Sequence, residues 1–299
     1  MAEQADPAAG AASLSRLLAA TDLSSRADRA LRRAAMLAQA AGAELLLLHA
    51  VDDDRPRSLV DAASREARRL LRDQAASLPE LRGIQARQVI EEGDPFEAIL
   101  RVSESEAVDL VVVGEHRRRL LRDIFVGTTL ERVLRHGQRP VLTVRAAPAG
   151  PYRHVVAATD FSPHAARAIR AAERLGLLRG AELTVLHAHE PPGLGAMAIA
   201  DVPPAATAAH EAEAARQASS ALAAFMAESL PGMAAEQRVV QGRPATAIKD
   251  MVARLRPDLL VVGTTGAGAL RRAVLGSVAA EVLGAVGCDA LAVPPEAPR

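Results

Sequence analysis

Short apolar runs alternate along this chain with longer stretches in which apolar residues return every three or four positions. Runs of four to eight residues rich in Val and Leu, bounded by turn residues, suit strands buried on both faces. The longer periods suit amphipathic helices. Strands are predicted near 16–20, 44–50, 84–91, 109–113 and 141–145, and again near 153–158, 182–188, 235–241, 258–262 and 289–293. Helices are predicted near 25–41, 58–77, 95–107 and 128–136, then near 163–178, 205–229, 244–255 and 277–286. Such alternation calls for a parallel sheet with helical crossovers. Local punctuation agrees: Ser162 before Pro163 is an N-cap with proline at the first helical position. Gly42 and Gly180 fall between a helix and the next strand, and Pro95 and Pro244 open the third helix of each set.

The two sets are copies of one unit. Residues 17–22 read LLAATD and 155–160 read VVAATD; 43–50 read AELLLLHA and 181–188 read AELTVLHA, all at an offset of 138. Further on, DLVVVG at 109–114 matches DLLVVG at 258–263 at an offset of 149, so the second copy holds 11 extra residues, placed in the Pro/Gly/Ala-rich stretch 191–206. The expected organisation is a disordered tail at 1–12, a first domain at 13–146, a linker at 147–152, a second domain at 153–294 and a tail at 295–299. The fold class is α/β: two tandem doubly wound five-stranded parallel-sheet domains, Rossmann-like with a flavodoxin-type strand order.

Composition narrows the function classes. Lys+Arg and Asp+Glu are both 36, so no net field draws the chain to nucleic acid or an anionic membrane. Aromatic residues are 2% of the chain and Trp is absent, which removes stacking platforms for single-stranded nucleic acid. Cys288 is the single cysteine, so neither an intramolecular disulfide nor a Cys-based zinc site can form; it reads as a small buried hydrophobe. Lys249 is the single lysine. No apolar run is long enough to span a bilayer, the first ten residues lack a secretory pattern, and a cytoplasmic location is the default.

In an open parallel sheet, ligands bind outside the carboxyl ends of the strands where the winding reverses. In the flavodoxin-like order that point lies beside the first strand; if the fourth strand is its neighbour there, two loops of the second copy face the crevice: Ala158-Thr159-Asp160-Phe161 and Gly263-Thr264-Thr265-Gly266. The latter continues to Gly276-Ser277 and a predicted helix, giving G-x2-G-x9-G-S. Gly263 and Gly266 let the backbone turn and approach a ligand without a Cβ clash, and Gly276 allows close approach before the helix. Ser277 and the free amides of that helix start offer donors to a phosphate. Asp160 is placed to accept hydrogen bonds from a ribose or a base amine.

This spacing, with Asp160 closing the first strand and a G-x-P before the third helix, resembles the ATP-binding branch of the universal stress protein family over nearly the whole chain. The resemblance implies ATP bound by Thr159, Asp160, Ala188, Gly263, Gly266, Gly276, Ser277 and the backbone at Val278; ADP, AMP or a cyclic nucleotide stay open, as does magnesium. It also implies pairing of the two fifth strands, 141–144 with 290–293, in an intramolecular pseudo-dimer, with a homodimer of chains as a further option. It implies a role in stress survival or signalling without strong catalysis. The alternatives are a nucleotide-independent interaction protein and a slow ATP hydrolase.

The first copy departs from the pattern as Gly114-x2-Arg117-x9-Gly127-Thr128, with Arg118, Arg119 and Arg122 beside Arg117. Thr128 and Glu131 form a capping-box pattern whose carboxylate competes for the same amides. Either this copy has lost its site, or its arginines grip phosphate from another angle. Loss fits better, because guanidinium attraction cannot restore missing backbone room. Three other signals are set aside. Gly193-Leu-Gly195-x-x-Ala198 lacks a strand-to-helix turn, His187-x-His189 lacks a third metal ligand, and no Gly-Lys-Ser/Thr of a P-loop occurs.

Overall fold

The computed structural model describes residues 14–25, 27–115, 129–200, 202–266 and 275–296. The expected tail at 1–12 lies outside these residues. The first half runs β1 (Arg16–Ala20), α1 (Ala27–Ala41), β2 (Glu44–Val51), α2 (Arg57–Ser77), β3 (Ala86–Glu92), α3 (Pro95–Ser105), β4 (Leu110–Gly114), α4 (Thr129–His136) and β5 (Val141–Val144). The second runs β6 (His154–Ala158), α5 (Pro163–Arg174), β7 (Glu182–His189), α6 (Leu194–Ile199), α7 (Pro204–Ser229), β8 (Glu236–Gln241), α8 (Pro244–Leu255), β9 (Leu259–Gly263), α9 (Ser277–Leu283) and β10 (Asp289–Val293).

All ten strands join one sheet in the order β3-β2-β1-β4-β5-β10-β9-β6-β7-β8. Each half is therefore wound 3-2-1-4-5, which corrects the expected flavodoxin-type order of 2-1-3-4-5. The reason lies in the third strands. β3 (ARQVIEE) and β8 (EQRVVQ) have no fully buried residue and suit an outer edge. β4 (LVVVG) and β9 (LLVVG) are buried on both faces and take the place beside the first strand. Pairing is parallel throughout except between β5 and β10, which run antiparallel with Thr143 opposite Ala290, Leu142 opposite Leu291 and Val141 opposite Ala292.

Helices cover both faces. One core layer packs Leu31 and Ala34 of α1, Leu71 of α2, Ile169 of α5 and Phe225 of α7 against Leu17, Leu45, Val155 and Val185. The other packs Ile99 of α3, Val133 of α4, Ile248 of α8 and Val282 of α9 against Leu18, Val111, Val156 and Leu260. α5 stops at Arg174, short of the expected 178, because Gly176 turns left-handed at φ +74°. The extra segment of the second half, read from sequence only as a Pro/Gly/Ala-rich insertion, contains α6, and it leads into an α7 of 26 residues where α2 has 21.

A buried polar cluster fastens the halves together. Asp289, fully buried at the start of β10, accepts from Tyr152 Oη at 2.8 Å and from the backbone amides of Arg145 at 2.8 Å and Ala146 at 3.2 Å. Arg33 of α1 places Nε 3.4 Å from Asp289 Oδ2, lays its guanidinium 4.1 Å above the Tyr152 ring and donates to Gly150 O at 2.7 Å. Burial, reinforced by the Asp289 charge, raises the Tyr152 phenol well above its usual pKa. Arg145 donates from its side chain to the carbonyls of Leu283 and Cys288 across the same seam.

Candidate functional site

The winding of the second half reverses between β6 and β9: from β6 the chain moves outward through β7 and β8, then returns to β9 on the other side. Beyond Ala158 the chain makes a tight turn held by its own side chains. Thr159 is buried; its Oγ1 accepts from Phe161 N at 3.0 Å, and Asp160 Oδ1 accepts from Ser162 N at 3.1 Å. Ser162 caps α5 by accepting from Ala165 N at 3.2 Å. These bonds hold Phe161 at φ +65°, a left-handed conformation unusual for an aromatic residue. There its ring stacks on His187 at a centroid distance of 4.0 Å. His187 Nδ1 donates to the Thr159 carbonyl at 2.9 Å, which fixes the tautomer of the neutral ring, and burial holds its pKa below the usual value. The histidine thus braces the neighbouring loop.

The first half repeats this turn bond for bond. Leu23 sits at φ +61°, its amide donates to Thr21 Oγ1 at 3.0 Å, Ser24 N donates to Asp22 Oδ1 at 3.0 Å, and His49 Nδ1 reaches the Thr21 carbonyl at 2.9 Å. Gly114 closes β4, while Arg117, Arg118, Arg119, Arg122, Gly127 and Thr128 lie outside the described residues. Glu131 is buried and pairs with Arg135 at 2.5 Å.

At the end of β9 the chain folds back against the Asp160 turn. A Cβ built on Gly266 would lie 2.8 Å from Asp160 Oδ2, and one on Gly276 would lie 3.3 Å from Thr264 O. Gly276 N donates to that same carbonyl at 2.7 Å, so the start of α9 is tied to the glycine loop. Gly263 is likewise close to the backbone, with Thr265 O 3.4 Å from its Cβ position. Ser277 and Val278 are exposed at the first turn of α9. Asp160, Gly263, Gly266, Gly276 and Ser277 are therefore gathered beyond the ends of β6 and β9. Ala158 ends the strand between β9 and β7, and half-buried Ala188 lies on β7 two residues beyond the Ala158–Leu186 register.

Two features escaped the sequence reading. One is the Phe161–His187 stack, of which only the histidine spacing hinted. The other is Thr265, 7% exposed, whose Oγ1 is buried with no hydrogen-bond partner among the described residues. Such a group asks for a polar ligand or water. Cys288 is buried, and desolvation pushes its thiol pKa up to about 11, the state of an inert core residue. No helix among the described residues is long and apolar enough to cross a membrane.

The sequence profile of the universal stress protein family matches residues 14–145 and again 151–294. A universal stress protein of Methanocaldococcus jannaschii is 24% identical over 153 residues, covering 44% of this chain and 94% of that protein. One from Thermus aquaticus is 32% identical over 145 residues, covering 48% and 98%. Among solved structures, a universal stress protein from Archaeoglobus fulgidus matches with a TM-score of 0.71 at 20% identity, covering 95% of this chain and 97% of its own. A putative universal stress protein from Pseudomonas aeruginosa matches at 0.64 and 21%, covering 94% and 93%.

Proposed function

From the premise that this chain belongs to the universal stress protein family, we propose that its second half binds an adenine nucleotide, ATP in the first instance, where β6 and β9 end. The observation that carries the reading is the convergence of Gly266 on the Asp160 carboxylate and of Gly276 on the Thr264 carbonyl. At both points the backbone approaches its neighbour more closely than a side chain would allow.

In this reading Asp160 accepts hydrogen bonds from the ribose. Gly263 and Gly266 admit the phosphates, which meet the Ser277 hydroxyl and the first amides of α9, including that of Val278. The unpartnered Thr265 hydroxyl supplies a further donor. Thr159, Ala158 and Ala188 line the base side, with Thr159 held by His187. The second half acts as a binding module in stress response or signalling. The first keeps the turn at Asp22 without a working phosphate loop and serves as its structural partner, the two forming a pseudo-dimer through β5 and β10.

The test is calorimetry with ATP on the full chain, together with mass spectrometry of whatever nucleotide co-purifies. Expected are one adenine nucleotide per chain and loss of binding in Gly266→Arg. Absence of adenine nucleotide from the wild type, or equal binding by Gly266→Arg, rejects the reading and leaves a nucleotide-independent interaction protein in its place.

A further inference from the structure

The opposite end of the sheet carries a second cleft, of about 670 Å³, where segment 146–151 crosses between the halves and β6, β9 and β10 begin. Ala146, Pro151, Val252 and Val286 give it apolar walls, and Arg153, Lys249 and Arg256 bring positive charge. The acidic groups nearby are already engaged. Asp289 is held by Arg33 and Tyr152. Asp258 accepts the backbone amides of Arg153 and His154 at 2.8 and 3.0 Å. Glu281 pairs with Lys249 at 2.6 Å. The guanidinium groups of Arg153 and Arg256 are left without a carboxylate among the described residues.

The duplication provides an internal control. Arg153 corresponds to Ser15, for the amides of Ser15 and Arg16 donate to Asp109 Oδ2 as those of Arg153 and His154 donate to Asp258. Arg256 corresponds to Ala107: both follow their helices in the left-handed conformation, at φ +47° and +49°. By the same spacing Lys249 corresponds to Leu100. One backbone thus carries three uncharged side chains in the first half and three cations in the second, so the fold itself does not require the charge. A left-handed conformation is uncommon for a non-glycine residue, and at Arg256 it carries a long cationic side chain lining the cleft where Ala107 carries a methyl group.

We propose that this cleft is a binding site for a small phosphorylated organic molecule. Guanidinium groups on the lining suit a phosphate group, and the alkyl walls accept an apolar body. The five residues of β6 separate it from the nucleotide crevice by about 16 Å, and it stands independently of that reading.

Calorimetry of the full chain with phenyl phosphate at low ionic strength tests it. The double variant Arg153→Ser/Arg256→Ala carries the first half's own residues, so it retains the fold, as circular dichroism will verify. Binding by the wild type, about tenfold or more weaker in the double variant and unchanged in Gly266→Arg, is expected. No binding by the wild type, or equal affinity in the double variant, overturns the proposal. Loss in Gly266→Arg alone assigns the ligand to the other crevice and overturns it as well.

Discussion

His187 shows how one residue links loop geometry to solution behaviour. Desolvation depresses its pKa and His189 adds to this, while the Thr159 carbonyl and Asp160 oppose. The native ring therefore takes up a proton less readily than the unfolded chain. Its contribution to stability is complete above the ordinary value of 6.5 and is lost as pH falls through it toward the lower native value. Between about pH 7.5 and about pH 5.5 the wild type should lose more stability in urea than His187→Asn, which keeps a donor for Thr159 but does not titrate. Parallel losses in the two proteins would count against this account. The glycine loop was legible in sequence because an absent side chain has few uses, and a fixed spacing before a helix points to one of them. Thr265 was not legible, since a threonine between glycines looks the same whether its hydroxyl is paired or orphaned.

Strand and helix positions could be read closely from hydrophobic periodicity because most strands here are buried on both faces. Strand order could not, because periodicity says what is buried and not beside what. The clue lay in polarity: the charged residues of β3 and β8 reserve both outer edges. α6 escaped because six residues carry too little period to stand out from the glycines and prolines around them. Unequal burial should appear in hydrogen exchange. α7 has Leu222, Phe225 and Met226 as its buried residues, all near its end. Its first turns, with β3 and β8, should exchange fastest, and the amides of β1, β4, β6 and β9 slowest. Protection across the start of α7 matching that of β9 would show that something packs there.

The duplication was legible for the molecule as a whole, and the family resemblance implied the pairing of the two fifth strands, yet the polar cluster at their seam was not legible. Asp289 reads as an ordinary strand-opening residue, and its partners Arg33 and Tyr152 lie far away in sequence. Removing one member of a buried ionic cluster strands the rest, so Asp289→Ala should cost about 3–5 kcal/mol, read from chemical unfolding of the full chain. A loss below about 1 kcal/mol would mean that the cluster contributes little. The same cluster bears on how such a protein can change over generations. Exchanging either copy for one that lacks its member of the cluster would leave the remaining ion buried at the seam without its partner, so the two copies constrain each other's sequence there. Two sequences that began as spares for one another have become a single heritable unit.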